Sequence, residues 1–162
     1  MNVPVTAPLI LVLVGASLAA AAPSTPPRPT LTVQRVVTVT AQGKPAERLE
    51  AATTTRPGDL LQASSVFTLS GKEKGARFTV PVPANTTFVP GSARTSQGVR
   101  VTYALTPTGP FSATPLKTIT VQENGKTVTK EVPAPQNEYR AVRYDLTGLA
   151  GTVTVGHRIR VN

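Results

Sequence analysis

The residues able to do chemistry are few. The chain of 162 residues has one His, no Cys, no Trp and eight acids against seventeen Lys and Arg. A single imidazole with no thiolate leaves almost nothing to ligate zinc, copper, haem or an iron–sulfur cluster. Calcium needs clustered carboxylates, and Asp59 and Asp145 stand alone, Asp59 as the turn residue of "RPGD". A Ser–His–acid triad would have to use His157. In "TVTVGHRIRV", however, His157 alternates with Val153, Val155, Ile159 and Val161, which predicts a hydrogen-bonded core histidine. No G-x-S-x-G elbow or phosphate-cradling glycine loop is present. Scattered single acids disfavour a carboxylate pair for glycoside hydrolysis. The residues therefore predict no enzyme, no cofactor and no metal.

Positive charge is the chemistry that remains, +9 at neutral pH. Strand parity turns Arg77, Arg100, Arg158 and Arg160 outward, and Lys72 and Lys74 join Arg77 around one turn. These six are the candidate contacts for an anionic ligand, through steering and counter-ion release. The alternative is a soluble basic surface with no partner. The chain's aromatics are four Phe and three Tyr, of which Phe78, Tyr103 and Tyr144 read as core. That disfavours a stacking platform for nucleic acid. An acidic polysaccharide, a lipid head group or an acidic surface-layer protein is the better-matched partner.

The elements that must carry these residues read as strands. Val and Thr alternate throughout: Leu31, Val33, Val37 and Val39 share one face, and so do Val99, Val101, Tyr103 and Leu105. Turn signals separate the runs, the sharpest being Asn124-Gly125, a type I′ hairpin that sets Val121 opposite Val128 and Glu123 opposite Lys126. In "FTVPVPANTTFVPGS" Phe78, Val80 and Val82 face inward, while Pro81 and Pro83 remove two donors from one edge. Such a strand belongs at a sheet edge, guarded against pairing with another chain. Asn85 reads as a corner residue. Short strands without helices predict an all-β antiparallel sandwich.

Before this domain the chain is of another kind. Ala7 to Ala22 is apolar or small, Ala19 and Ala21 fit the A-x-A rule, and cleavage after Ala21 defines a signal peptide over residues 1–21. The n-region lacks Lys and Arg, and the other reading is an uncleaved anchor, for which the run is short. Residues 22–30, "APSTPPRPT", form a stiff polyproline-like spacer ahead of a domain at 31–162.

The order "RPGDLLQASSVFTLSG", "FTVPVPANTTFVPGSA", "VRVTYALTPTGPF" and "YRAVRYDLTGLAGTVTVGHRIRV" resembles the bacterial cell-surface conserved-repeat domain, the domain of unknown function eleven. The resemblance spans residues 31–162 and implies an immunoglobulin-like β-sandwich exported to the envelope, usually without catalysis. His157 stands where that family usually has an aromatic or aliphatic core residue. The expected role is an exported structural or adhesive module of the envelope, periplasmic, surface-attached or secreted. The alternative is a basic binding protein docking an anionic envelope ligand, and an exported hydrolase is the remainder.

Overall fold

The computed structural model describes residues 29–162. The signal peptide expected over 1–21 and the spacer through residue 28 lie outside the described residues, and Thr30 already belongs to a strand. The described strands run β1 Thr30–Ala41, β2 Lys44–Ala51, β3 Leu60–Ser70, β4 Arg77–Pro81, β5 Thr86–Phe88, β6 Arg94–Thr95, β7 Arg100–Ala104, β8 Leu116–Glu123, β9 Lys126–Pro133, β10 Ala141–Asp145 and β11 Ala150–Val161. One 3-10 turn, Gln136–Glu138, is the only helical element among the described residues, and no helix there is long and apolar enough to cross a membrane.

The strands form the antiparallel β-sandwich that the alternation predicts. One sheet has the order β2-β1-β3-β11-β5, with β6 also on β11; the second is β4-β10-β7; β8 and β9 make a hairpin of their own. Two sharp turns set the hairpin registers. Asn124 and Gly125 both take positive φ (52° and 76°), and so do Gln42 and Gly43 (52° and 75°), the conformation a two-residue turn needs to match strand twist. Val121 pairs with Val128 and Glu123 with Lys126, as the Asn-Gly spacing predicts.

The core lies between the two sheets. From the large sheet come Leu61, Phe67, Leu69, Val153, Val155 and Ile159, and from the small sheet Val80, Val142 and Tyr144, all buried. Each such side chain contributes about 1.5–3 kcal/mol by leaving water. Phe67 meets Phe78 edge to face at 4.9 Å. Gly156 is where β11 comes closest to β3: a Cβ there would lie 2.7 Å from the Ala63 carbonyl oxygen.

Burial follows sheet overlap as well as alternation. Leu31 and Val33 pair with Ser65 and Ala63, which puts them on the core-facing side of their sheet. Both nevertheless stay open, at 48% and 40% exposure, because among the described residues β1 packs chiefly along β2 and β3, away from the small sheet. At the small sheet's margin, β4 pairs with β10 alone. The Val82 N–H donates to the Arg140 carbonyl at 2.8 Å, so the donorless positions Pro81 and Pro83 face the free edge.

Candidate anion-binding cleft

The outer face of the small sheet is built by three short amphipathic strands, "RFTVP", "RVTYA" and "AVRYD". Residues two apart share a face, so burying Val142 and Tyr144 turns Arg143 and Asp145 outward. The register then aligns two rows. Asp145 lies between Arg77 and Arg100, and Arg143 lies between Thr79 and Thr102.

Arg143 is held in place from two sides. Its guanidinium carbon sits 3.5 Å from the centroid of the Phe111 ring, and its Nε donates to Thr79 Oγ1 at 3.2 Å. Phe111 comes from the segment after β7, which turns back so that Tyr103 and Ser112 exchange backbone hydrogen bonds of 2.8 and 2.9 Å. Gly109 makes room for this ring: its φ is 109°, and a Cβ there would lie 2.9 Å from Phe111 Cδ2. Asp145 Oδ1 accepts from the Thr147 N–H at 3.1 Å and the Thr147 hydroxyl at 2.6 Å. Those hydrogen bonds, with the Arg77 and Arg100 charges behind them, hold the Asp145 carboxyl below the usual carboxylate range.

Arg77, Arg100, Thr102, Phe111, Arg143 and Asp145 enclose a cleft of about 180 Å³. Three guanidiniums face one carboxylate. Among the described residues the ion pairs are Arg35 and Arg48 with Glu50, Arg158 with Glu47, Lys117 with Glu138 and Lys130 with Glu123, so none of the cleft arginines is paired within 4.0 Å. A stacked, hydrogen-bonded guanidinium keeps its remaining N–H groups as a preset fork for a carboxylate, sulfate or phosphate.

The six basic residues singled out from sequence fall into three places. Arg77 and Arg100 come together in the cleft. Lys72 and Lys74 are exposed in the loop entering β4. Glu73 organises that loop, accepting from the Ser70 N–H (2.9 Å) and hydroxyl (2.8 Å), and its carboxyl is held down to about 2 by those bonds. The loop is tied to the strand end that bears Asp145 by Leu146 N–H to the Ala76 carbonyl, 2.8 Å. Arg158 and Arg160 lie on the other sheet and are engaged. Arg158 grips Glu47 with both terminal nitrogens, one at 2.9 Å, and donates to Gln62 at 3.2 Å; Arg160 donates to the Gly58 carbonyl at 3.2 Å. The Glu47 hydrogen bond raises the Arg158 pKa further.

Three cleft residues, Thr102, Phe111 and Arg143, were not singled out from sequence. Arg143 was findable, because "YRAVRYD" alternates and places it outward beside the buried Val142 and Tyr144. Phe111 carries no such signal, since it sits outside the strands. His157 belongs to the core, at 1% exposure, with Nδ1 3.1 Å from the Tyr144 hydroxyl. Burial lowers its pKa to about 4 and raises that of Tyr144, so both are neutral at pH 7. Among the described residues no three of His, Cys, Asp or Glu gather as a metal site would require.

No family model, curated protein or solved structure matches this chain.

Proposed function

We propose that this protein is an exported, non-enzymatic module of the bacterial envelope that docks an anionic ligand through the Arg77–Arg100–Arg143 cleft. One observation carries the reading: three guanidiniums share a sheet face with a single carboxylate, and no described acid pairs with them. Arg143, stacked on Phe111 and bonded to Thr79, is already oriented, so a ligand need not order it on arrival. Export rests on the apolar leader ending in Ala19-x-Ala21, and the envelope on the resemblance to the cell-surface conserved-repeat domain.

The test is retention on isolated envelope and on immobilised dextran sulfate under a salt gradient. Replacing Arg77, Arg100 and Arg143 together by Ala should weaken retention roughly a hundredfold, since charge-assisted hydrogen bonds are the strong ones. Arg158→Ala with Arg160→Ala should change it less than about twofold. A folded triple variant that binds like the parent overturns the reading.

A structural or adhesive role is the second reading, favoured by the β8–β9 hairpin, which pairs with no other sheet. Retention that survives salt and yields only to detergent or denaturant would favour it.

A further inference from the structure

The cleft's single carboxylate narrows the class of ligand, on the footing of the docking role just proposed. A site reading negative charge alone gains nothing from an acid at its centre, where it repels every anion that arrives. Asp145 nevertheless stands between Arg77 and Arg100 in the register, ionised and anchored through Oδ1 by Thr147. Its Oδ2 accepts from none of the described residues and is available to a donor. A ligand that satisfies the whole cleft therefore carries anionic groups for the guanidiniums and a hydroxyl for the carboxylate.

Other anionic ligands match less well. Among the described residues the exposed large apolar side chains are Leu31, Val33, Leu49, Val66 and Leu116; four lie on the other sheet and one at the base of a hairpin, so none of them accompanies the cleft into a lipid surface. Phe111 gives a ring face to Arg143, which takes it from base stacking. Arg77 and Arg100 spring from strands two apart, roughly 10 Å, a span suited to groups distributed along a chain of sugar rings.

We propose that the cleft takes an acidic saccharide, its anionic groups held by Arg77, Arg100 and Arg143 and a ring hydroxyl donating to Asp145 Oδ2.

Asp145→Asn in the full chain tests this with two probes, oligogalacturonate and inorganic polyphosphate, by calorimetric titration. Oligogalacturonate has hydroxyls and polyphosphate has none. If Asp145 accepts a sugar hydroxyl, the variant should bind oligogalacturonate roughly tenfold more weakly, through loss of a charge-assisted bond. It should bind polyphosphate a few-fold more tightly, through loss of repulsion. Tighter binding of both probes overturns the saccharide assignment and leaves the docking role standing. Parent protein that binds polyphosphate or phosphatidylglycerol vesicles but not oligogalacturonate does the same. Parent protein that binds none of these anions overturns the docking role as well. A variant weakened toward both probes has lost the face itself; Asp145→Ser, whose hydroxyl still accepts from the Thr147 N–H, then decides by the same pair of signs.

Discussion

The two sheets of the sandwich each turn arginines to solvent, and the two sets behave differently. On the large sheet Arg158 is gripped by Glu47, and Arg35 and Arg48 share Glu50. On the small sheet Arg77, Arg100 and Arg143 have one carboxylate among them, anchored through one oxygen by Thr147. Residue type is the same on both sides, but of these large-sheet arginines only Arg158 has outward parity: Arg35 pairs with the buried Leu61 and Arg48 with Val37, which puts both on the core-facing side with Glu50. What separates them is the supply of acids: β2, "KPAERLEA", brings two Glu residues to the large sheet, Glu47 reaching Arg158 from a strand that is not its neighbour, whereas β4 and β7 flank β10 with Arg and Thr. An outward arginine stays available for binding where no acid closes an ion pair with it, whichever strand that acid comes from.

The largest expected effect sharpens this contrast by asking whether the core between the faces is silent in binding. Folding lowers the His157 pKa from 6.5 to about 4 through burial. The unfolded chain therefore takes up the proton first, so stability is full above about pH 6.5 and falls as pH drops toward 4, by about 3 kcal/mol. Chemical denaturation across that window should show the decline. His157→Phe should remove the decline between about pH 6.5 and 5, leaving the later loss that Glu73 causes as its carboxyl is protonated, while anion binding stays unchanged, at some loss of stability because the Tyr144 hydroxyl loses its partner. If that variant folds but no longer binds, His157 belongs to the site and the separation of the faces fails.

A smaller effect would break the contrast deliberately. Glu47→Gln should free Arg158 and give the large sheet an anion affinity it lacks, improving retention on dextran sulfate roughly two- to fivefold at low salt. No gain would mean that Glu47 is not what keeps Arg158 from ligand.

The smallest effect on the folded monomer concerns the margin of the small sheet. Pro81→Thr with Pro83→Thr should alter monomer stability by no more than about 1 kcal/mol. The restored N–H groups make a free edge that another strand can join, so sedimentation should show self-association rising with concentration. A variant as monomeric as the parent would deprive the prolines of that guarding role.

Local chemistry was legible in the sequence where it is self-contained. Asn124-Gly125 fixes its own hairpin, and Pro81 and Pro83 announce an edge, because both depend on the backbone of a few adjacent residues. Parity was legible too, and it turned Arg77 and Arg100 outward and His157 inward. Partners distant in the chain were not. Arg158 meets an acid 111 residues away, and Phe111 reaches Arg143 from outside any strand, so neither appears in a local pattern. Leu31 and Val33 show the same limit: alternation assigns them a face, but the extent of the opposing sheet decides whether that face is covered.

The place of β11 has a consequence for how the chain acquires its shape. It is the strand through which β3, β5 and β6 join one sheet, and its register on β3 runs from Ala150 opposite Ser70 to Arg160 opposite Leu60. Contacts so remote in sequence close slowly, because the loop entropy between them is lost before any contact offsets it. A chain emerging N-terminus first can form its two tight hairpins early, but the sandwich cannot close until residues 150–161 have appeared. Until then Leu61, Phe67 and Leu69 have no strand beside them on that side. The topology thus keeps the domain open until β11 has been synthesised, and assembly waits for that strand.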